Sequence, residues 1–217
     1  MKNTDYLKYL VEQIHSTVMA TVDKDGRPVT AAIDMMDQDE RGLYFLTARG
    51  KSLYDRLVGN PYLALTGMKI VDNGAQHDDG RHKTMSTIAV SIRGKAVELG
   101  PELLSRLFEK NPYMKDIYPT EESRKALTVF CITEGTGEWF DLSRLPIQRA
   151  DFAFGGAKEQ LEGYQITDTC TGCGSCQPVC PQNCIFLVSG KAAIQQEHCL
   201  HCGSCAEVCP AGAVITL

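Results

Sequence analysis

This 217-residue sequence predicts a mostly β, α+β protein: an antiparallel β-barrel followed by a small α+β domain rich in cysteine. Three observations predict it. Short β-branched segments recur at hairpin spacing through residues 1–142 with few helical stretches between them, the pattern of an antiparallel barrel and not of alternating βα units. Ten cysteines are present, and nine of them fall in the last 48 residues. Hydrophobic residues at 43% and charged residues at 23% belong to an ordinary folded chain, which excludes wholesale disorder. The cysteine asymmetry divides the chain into a barrel domain (1–142), a connector (143–164) and a cysteine-rich domain (165–217).

The elements follow in order. Tyr6, Leu7, Leu10, Val11 and Ile14 recur at helical spacing, with Thr4 placed to cap the helix. STVMATV (16–22) and VTAAIDMM (29–36) are strands joined by an Asp-Gly turn. The turn DQDERG (37–42) leads to the strand LYFLT (43–47), and a helix from Lys51 to Val58 stops at Gly59-Asn60-Pro61. YLALTGMKI (62–70) is a strand. After the polar stretch 72–83 comes a long strand pattern, 84–99. Pro101 to Lys110 is a helix with proline near its first turn. A short helix and a second long strand (126–142) complete the barrel, and Pro146 with Gly155-Gly156 marks the connector.

Charge and targeting narrow the function classes. Twenty-two basic against 27 acidic residues give a net charge of −5, which argues against a nucleic-acid binder. The first residues mix charges with apolar groups and carry no signal-peptide pattern, and no run reaches the roughly 18 apolar residues of a membrane span. The expectation is a cytoplasmic protein, where clustered thiols stay reduced and serve metal or redox chemistry in preference to disulfides.

Two cysteine runs carry that chemistry. CTGCGSCQPVCP (170–181) and CLHCGSCAEVCP (199–210) share the spacing C-x2-C-x2-C-x3-C-P and stand 29 residues apart. Three thiolates on one glycine-bearing loop can each take a different iron of a cubane, and the proline after the fourth cysteine turns the chain away. Zinc is the competing metal, but its sites use paired C-x2-C knuckles. Residues 165–217 closely resemble the bacterial two-cluster ferredoxin. The resemblance implies one [4Fe–4S] cluster on Cys170, Cys173, Cys176 and Cys209, and another on Cys180, Cys199, Cys202 and Cys205. Cys184 aligns with Ala213 across the repeat and reads as an inert packing thiol, as does Cys131 inside LTVFCI. His198 and His201 flank the second run and read as solvated loop residues, with tuning of a cluster as the alternative.

The barrel segments MATVD (19–23), GRP (26–28), LYFLT (43–47), GKS (50–52) and RGKA (93–96) resemble the split-barrel FMN-binding family that includes pyridoxamine 5′-phosphate oxidase. The resemblance covers about residues 5–142. It implies FMN, with the phosphate at Thr47, Arg49, Lys51 and Ser52, the ring along the second strand near Thr30 and Ile33 and beside Leu46, and Trp139 or Phe140 covering it, burial in the core being the competing reading for Trp139. Independently, hydroxyl and cationic groups gathered between a strand and a helix start suit a phosphate. Ala31 and Met36 stand where the oxidase pattern carries Arg and Lys, so the resemblance does not extend to oxidation of a vitamin B6 phosphate. Split barrels also host haem or a deazaflavin, which stays open as the alternative to FMN. His77, Asp78, Asp79 and His82 lack zinc spacing and read as a solvated loop or a lid.

Together the halves are expected to form an FMN-dependent oxidoreductase fed by its own ferredoxin domain and acting on a small organic substrate. A flavin–ferredoxin electron carrier without a substrate is the alternative. The barrel resemblance implies a homodimer, and oxygen-sensitive clusters imply an anaerobic setting. Residues 160–217 carry a net charge of −3, so a basic redox protein is the expected partner at that end.

Overall fold

The structure, a computed structural model, describes residues 3–71, 86–160 and 162–217; the stretch carrying His77, Asp78, Asp79 and His82 lies outside them. Contacts group the chain into two compact units. The first comprises Met1–Lys69, Ala89–Glu138 and Phe152–Glu159, the second Ile70–Ile88, Trp139–Asp151 and Gln160–Leu217.

The chain opens with α1 (Asn3–Tyr9), which buries Tyr6 and Leu7 and runs on into a π-helical turn, Leu10–Ile14. Thr4 lies inside α1 and does not cap it, because the helix already starts at Asn3. His15, at φ 66°, ends the turn and accepts a hydrogen bond from the Met35 amide. β1 (Ser16–Val22) pairs antiparallel with β2 (Pro28–Asp34), from Ser16↔Asp34 to Val22↔Pro28. The Asp23 carboxylate closes the hairpin by accepting from the amides of Asp25 and Arg27. There follow β3 (Asp37–Asp39), β4 (Gly42–Ala48), α2 (Ser52–Gly59), β5 (Tyr62–Val71) and β6 (Ser86–Gly100). Next are α3 (Leu104–Lys110), α4 (Met114–Ile117), α5 (Glu121–Arg124), β7 (Leu127–Asp141) and β8 (Gln148–Phe154). Among the described residues these strands form an eight-stranded sheet, β2-β1-β5-β6-β7-β4-β3, with β8 paired to β7.

The pairing of β4 with β7, Leu43↔Ile132 to Ala48↔Leu127, sorts the core into two faces. On one face Phe45 stacks on Phe130 at 5.6 Å, with the Tyr54 ring edge-on to Phe130. On the other, Tyr44, Leu127, Val129 and Cys131 pack against Met36, Leu107, Phe108 and Met114. Full burial of each large apolar side chain stabilises the fold by about 1.5–3 kcal/mol. Cys131 is a packing residue here, and burial pushes its thiol up to about 11, which keeps it protonated and inert at neutral pH. β8 lies in the segment read above as connector. Its sequence, QRADFAF, has no β-branched residue, and its place is secured by Phe152, which is fully buried and stacks on Tyr6 at 4.7 Å.

One polar network ties α3 to this sheet. Asp37, 3% exposed, accepts from Arg106 Nε at 2.6 Å and Lys110 Nζ at 2.5 Å. Arg106 also reaches Asp39 at 2.8 Å, whose other oxygen accepts from Tyr44 OH at 2.8 Å. Burial alone would raise the Asp39 pKa, but hydrogen bonds from Tyr44, Arg106 and the Arg41 amide outweigh it and leave the carboxylate below its ordinary value. Its contribution to stability is therefore present above the unfolded-state pKa and is lost as pH falls through the lower folded-state value.

The second unit holds two small antiparallel ladders, β9 (Tyr164–Ile166) with β12 (Val214–Thr216) and β10 (Ile185–Val188) with β11 (Lys191–Ile194). The sequence repeat is also a backbone repeat. Gln177, Cys180 and Asn183 donate to the carbonyls of Gly174, Gln177 and Cys180; 29 residues on, Ala206, Cys209 and Gly212 donate to Gly203, Ala206 and Cys209. The same unit includes Trp139–Asp151, where the Asp141 carboxylate accepts from the Ser143 amide at 2.8 Å and from Arg144 at 2.9 Å.

Replacing Arg106 by Ala leaves the buried Asp37 with Lys110 as its cation and the Gln38 amide, and removes a partner of Asp39. Urea unfolding of R106A is expected to show a loss of about 2 kcal/mol, and a smaller loss of stability than wild type on acidification below about pH 4.

Candidate functional site

Each cysteine run curls around a cavity that it does not close by itself. The first cavity is lined by Cys170, Cys173 and Cys176 together with Cys209 from the second run. The other is lined by Cys199, Cys202 and Cys205 together with Cys180 from the first run. Among the described residues no three His, Cys, Asp or Glu side chains converge as a single-ion site requires. The thiols are instead spread around the two spaces, a donor arrangement suited to a polynuclear sulfide cluster and not to one zinc ion.

Local chemistry prepares the sulfurs in the same way in both halves. The middle cysteines, Cys173 and Cys202, are exposed, and each lies 3.5 Å from the hydroxyl two residues on, Ser175 or Ser204. That hydroxyl, with the amide of the same serine, holds the thiol below its ordinary pKa. The third cysteines, Cys176 and Cys205, are buried, and burial raises them. Backbone amides point at other sulfurs: Ala192 at Cys170 and His201 at Cys199, each 3.4 Å away. The remaining walls are apolar, with Ile185, Ala192 and Val214 in the shared core.

Two departures from the repeat surround the second run. Gly172 sits at φ 70°, and a Cβ there would land on the Gly190 carbonyl oxygen; His201 occupies the matching place at φ 54° with its ring over Gly163. His201 is half-buried, and burial and the Arg149 charge lower its pKa against an opposing pull from Glu162. His198 hydrogen-bonds through Nδ1 to the Ile147 carbonyl at 2.7 Å. The solvated-loop expectation for both histidines is thus replaced: each packs within the domain, because the segment around Ile147 folds onto the second run. Ile147 donates its amide to Gln182 Oε1 at 2.9 Å, and Arg149 donates to the Cys199 carbonyl at 3.4 Å. No motif in the sequence announces this cover. Cys184, expected as an inert packing thiol, is buried but also lines the second cavity. The repeat, which pairs it with Ala213, holds the clue to that role.

The barrel residues are distributed as follows. Thr30 is exposed and Ile33 half-buried on β2. Leu46 packs against the Tyr44 face of β4, while Thr47 points to the opposite face. Thr47 is 2% exposed and its hydroxyl, sealed from solvent, has no hydrogen-bond partner. Arg49, Lys51 and Ser52 are exposed in the turn entering α2, and Lys51 occupies the N-cap position. Arg49 Nε lies 3.7 Å from Glu98 Oε1, an oxygen that also accepts from Thr128 at 2.6 Å. Glu98 carries no signal in the sequence. Trp139 is 8% exposed and belongs to the second compact unit, whereas Thr47, Arg49, Lys51 and Ser52 belong to the first.

Comparison with known families agrees with this division. Residues 4–137 match the family model described as pyridoxamine 5′-phosphate oxidase. The chain belongs to that family. Residues 169–213 match the 4Fe-4S dicluster domain, so a family barrel is joined here to an iron–sulfur domain of ferredoxin type, whose chemistry is electron transfer. No curated protein matches the chain. Among solved structures, a NimC/NimA family protein from Clostridium acetobutylicum is 16% identical, covering 70% of this chain and 92% of that one at a TM-score of 0.51; it shares the fold. A protein related to general stress protein 26 of B. subtilis, also from C. acetobutylicum, is 16% identical over 70% and 96% of the two chains, TM-score 0.46. HutZ, the heme storage protein from Vibrio cholerae, is 14% identical over 61% and 90%, TM-score 0.44. Among the described residues no helix is long and apolar enough to cross a membrane.

Because a side chain at position 172 meets backbone, G172A is expected to hold less iron per chain after anaerobic reconstitution. H201G, which relaxes the matching position, is expected to keep the wild-type amount. Iron analysis of the two variants checks the pair.

Proposed function

We propose that this protein is an iron–sulfur flavoprotein that moves electrons between two [4Fe–4S] clusters and a barrel-bound FMN, and so reduces or oxidises a small organic substrate. The observation that carries the reading is the pair of cavities, each lined by three cysteines of one run and the fourth cysteine of the other. In this reading Cys170, Cys173, Cys176 and Cys209 hold one cluster, and Cys180, Cys199, Cys202 and Cys205 hold the second. When bound, the clusters supply single electrons and the flavin joins them to two-electron chemistry.

The chain's own residues have distinct tasks. Ser175 and Ser204 favour the thiolate form that metal binding requires. Ile185, Ala192 and Val214 keep water from the inner walls. For the flavin phosphate, support comes from the β4–α2 segment. The Thr47 hydroxyl lacks a partner, and Lys51 brings a cation to the start of α2, the end at which a helix presents amide donors to an anion. Glu98 holds Arg49 beside this segment. At the positions that carry cations in the oxidase pattern, Ala31 is half-buried and Met36 lies in the apolar cluster, so a vitamin B6 phosphate is not the proposed substrate. A second copy of the chain is proposed to cover the outward face of β1 and β5, where Val18, Tyr62 and Met68 are 57%, 63% and 67% exposed.

Anaerobically purified protein is expected to contain about eight irons and eight sulfides per chain and to release FMN on denaturation. Zinc in place of iron overturns the cluster assignment, and a flavin-free supernatant overturns the FMN assignment. In sedimentation the wild type is expected to run as a dimer and V18K as a monomer; a monomeric wild type refutes the covered face.

A further inference from the structure

The second cavity carries one thiol more than a cubane takes. Cys184 lines it beside Cys180, Cys199, Cys202 and Cys205. It is 2% exposed, its Sγ stands 3.4 Å from Cys180 Sγ, and its amide donates to that same sulfur at 3.4 Å. The repeat supplies an internal comparison. In the first cavity the matching residue is Ala213, 1% exposed, whose amide donates to Cys209 Sγ at 3.2 Å. The two backbones therefore treat the fourth cysteine alike, and they differ in what stands next to it. A methyl group satisfies the packing in one half, so packing does not explain a sulfur in the other.

We propose that Cys184 is a fifth sulfur donor of the second site, placed to take over the iron held by Cys180. The proposal rests on the cluster assignment made above for Cys180, Cys199, Cys202 and Cys205. In the exchange the iron–sulfur bond to Cys180 breaks and one to Cys184 forms. Cys184 gives up its proton and Cys180 gains one, so neither the charge nor the electron count of the site changes. The two sulfurs lie close enough for either to serve one iron after a small side-chain rotation. The second site thereby keeps a complete donor set when Cys180 is removed or oxidised, and the first site has no such reserve.

The test uses the full-length chain, reconstituted anaerobically with iron and sulfide and read by iron content and by EPR of the reduced sample. Wild type with about eight irons per chain establishes the cluster reading by itself. C180A is then expected to keep about eight irons and a two-cluster spectrum, whereas C209A and the double variant C180A/C184A fall clearly below that. C180A and C180A/C184A with the same lowered iron content would overturn the proposal. Should C180A fail to fold, C209A/A213C transplants the extra thiol into the first half. It is expected to recover iron relative to C209A, and no recovery refutes the fifth-donor role.

Discussion

The fourth cysteine of each run faces the cavity of the other run, and the C-terminal domain depends on this exchange. Cys176, Cys184, Cys199 and Cys205 are themselves the buried centre, packed with Ile185, Ala192 and Val214. So small a core buries too little apolar surface to hold a domain of this size without a staple. Tight loops bring three sulfurs together, and the turns after Cys180 and Cys209 carry the fourth across, where the amide of Cys184 or of Ala213 meets that sulfur. Neither half can complete its cavity alone, so the two runs form one folding unit.

Within that unit the repeat is kept in the backbone and broken in the surroundings. Cys170 is half-buried where Cys199 is buried, and Ser175 is exposed where Ser204 is half-buried. The difference arises from the cover that Ile147 and Arg149 lay over the second run through Gln182, His198 and the Cys199 carbonyl. Charge, hydrogen bonding and exposure set the potential of an iron–sulfur site. Two sites built on one spacing thus meet different environments.

In the barrel, β4 has the corresponding organising role. Its alternation sends Phe45 and Thr47 to one side and Tyr44 and Leu46 to the other, and its end leads directly into the turn before α2. Arg106 and Lys110 pin α3 onto the buried Asp37 of the neighbouring β3, and the cluster on the Tyr44 side fills the space beneath. The turn that carries Arg49, Lys51 and Ser52 is therefore mounted on a strand fixed from both faces, a rigid support for a ligand-binding segment.

Much of this was legible in the sequence, for local reasons. Short apolar segments bounded by turn residues marked β1, β2, β4 and β5 to within a residue or two, since such a pattern depends only on which local side chains face the core. The strand β8 was not legible: its pairing comes from a remote partner, Tyr6 against Phe152, and its own residues carry no strand pattern. The spacing of the cysteines likewise announced a dicluster iron–sulfur domain, because chain length and tight turns limit where successive sulfurs can reach. What the sequence determined by itself was thus the type of each element and the class of chemistry at each end. Tertiary structure alone decided which groups share a space. It buried the Thr47 hydroxyl, set Glu98 against Arg49, laid Ile147 over the second run and brought Cys184 beside Cys180, since contacts between residues distant in sequence follow from packing and not from local pattern.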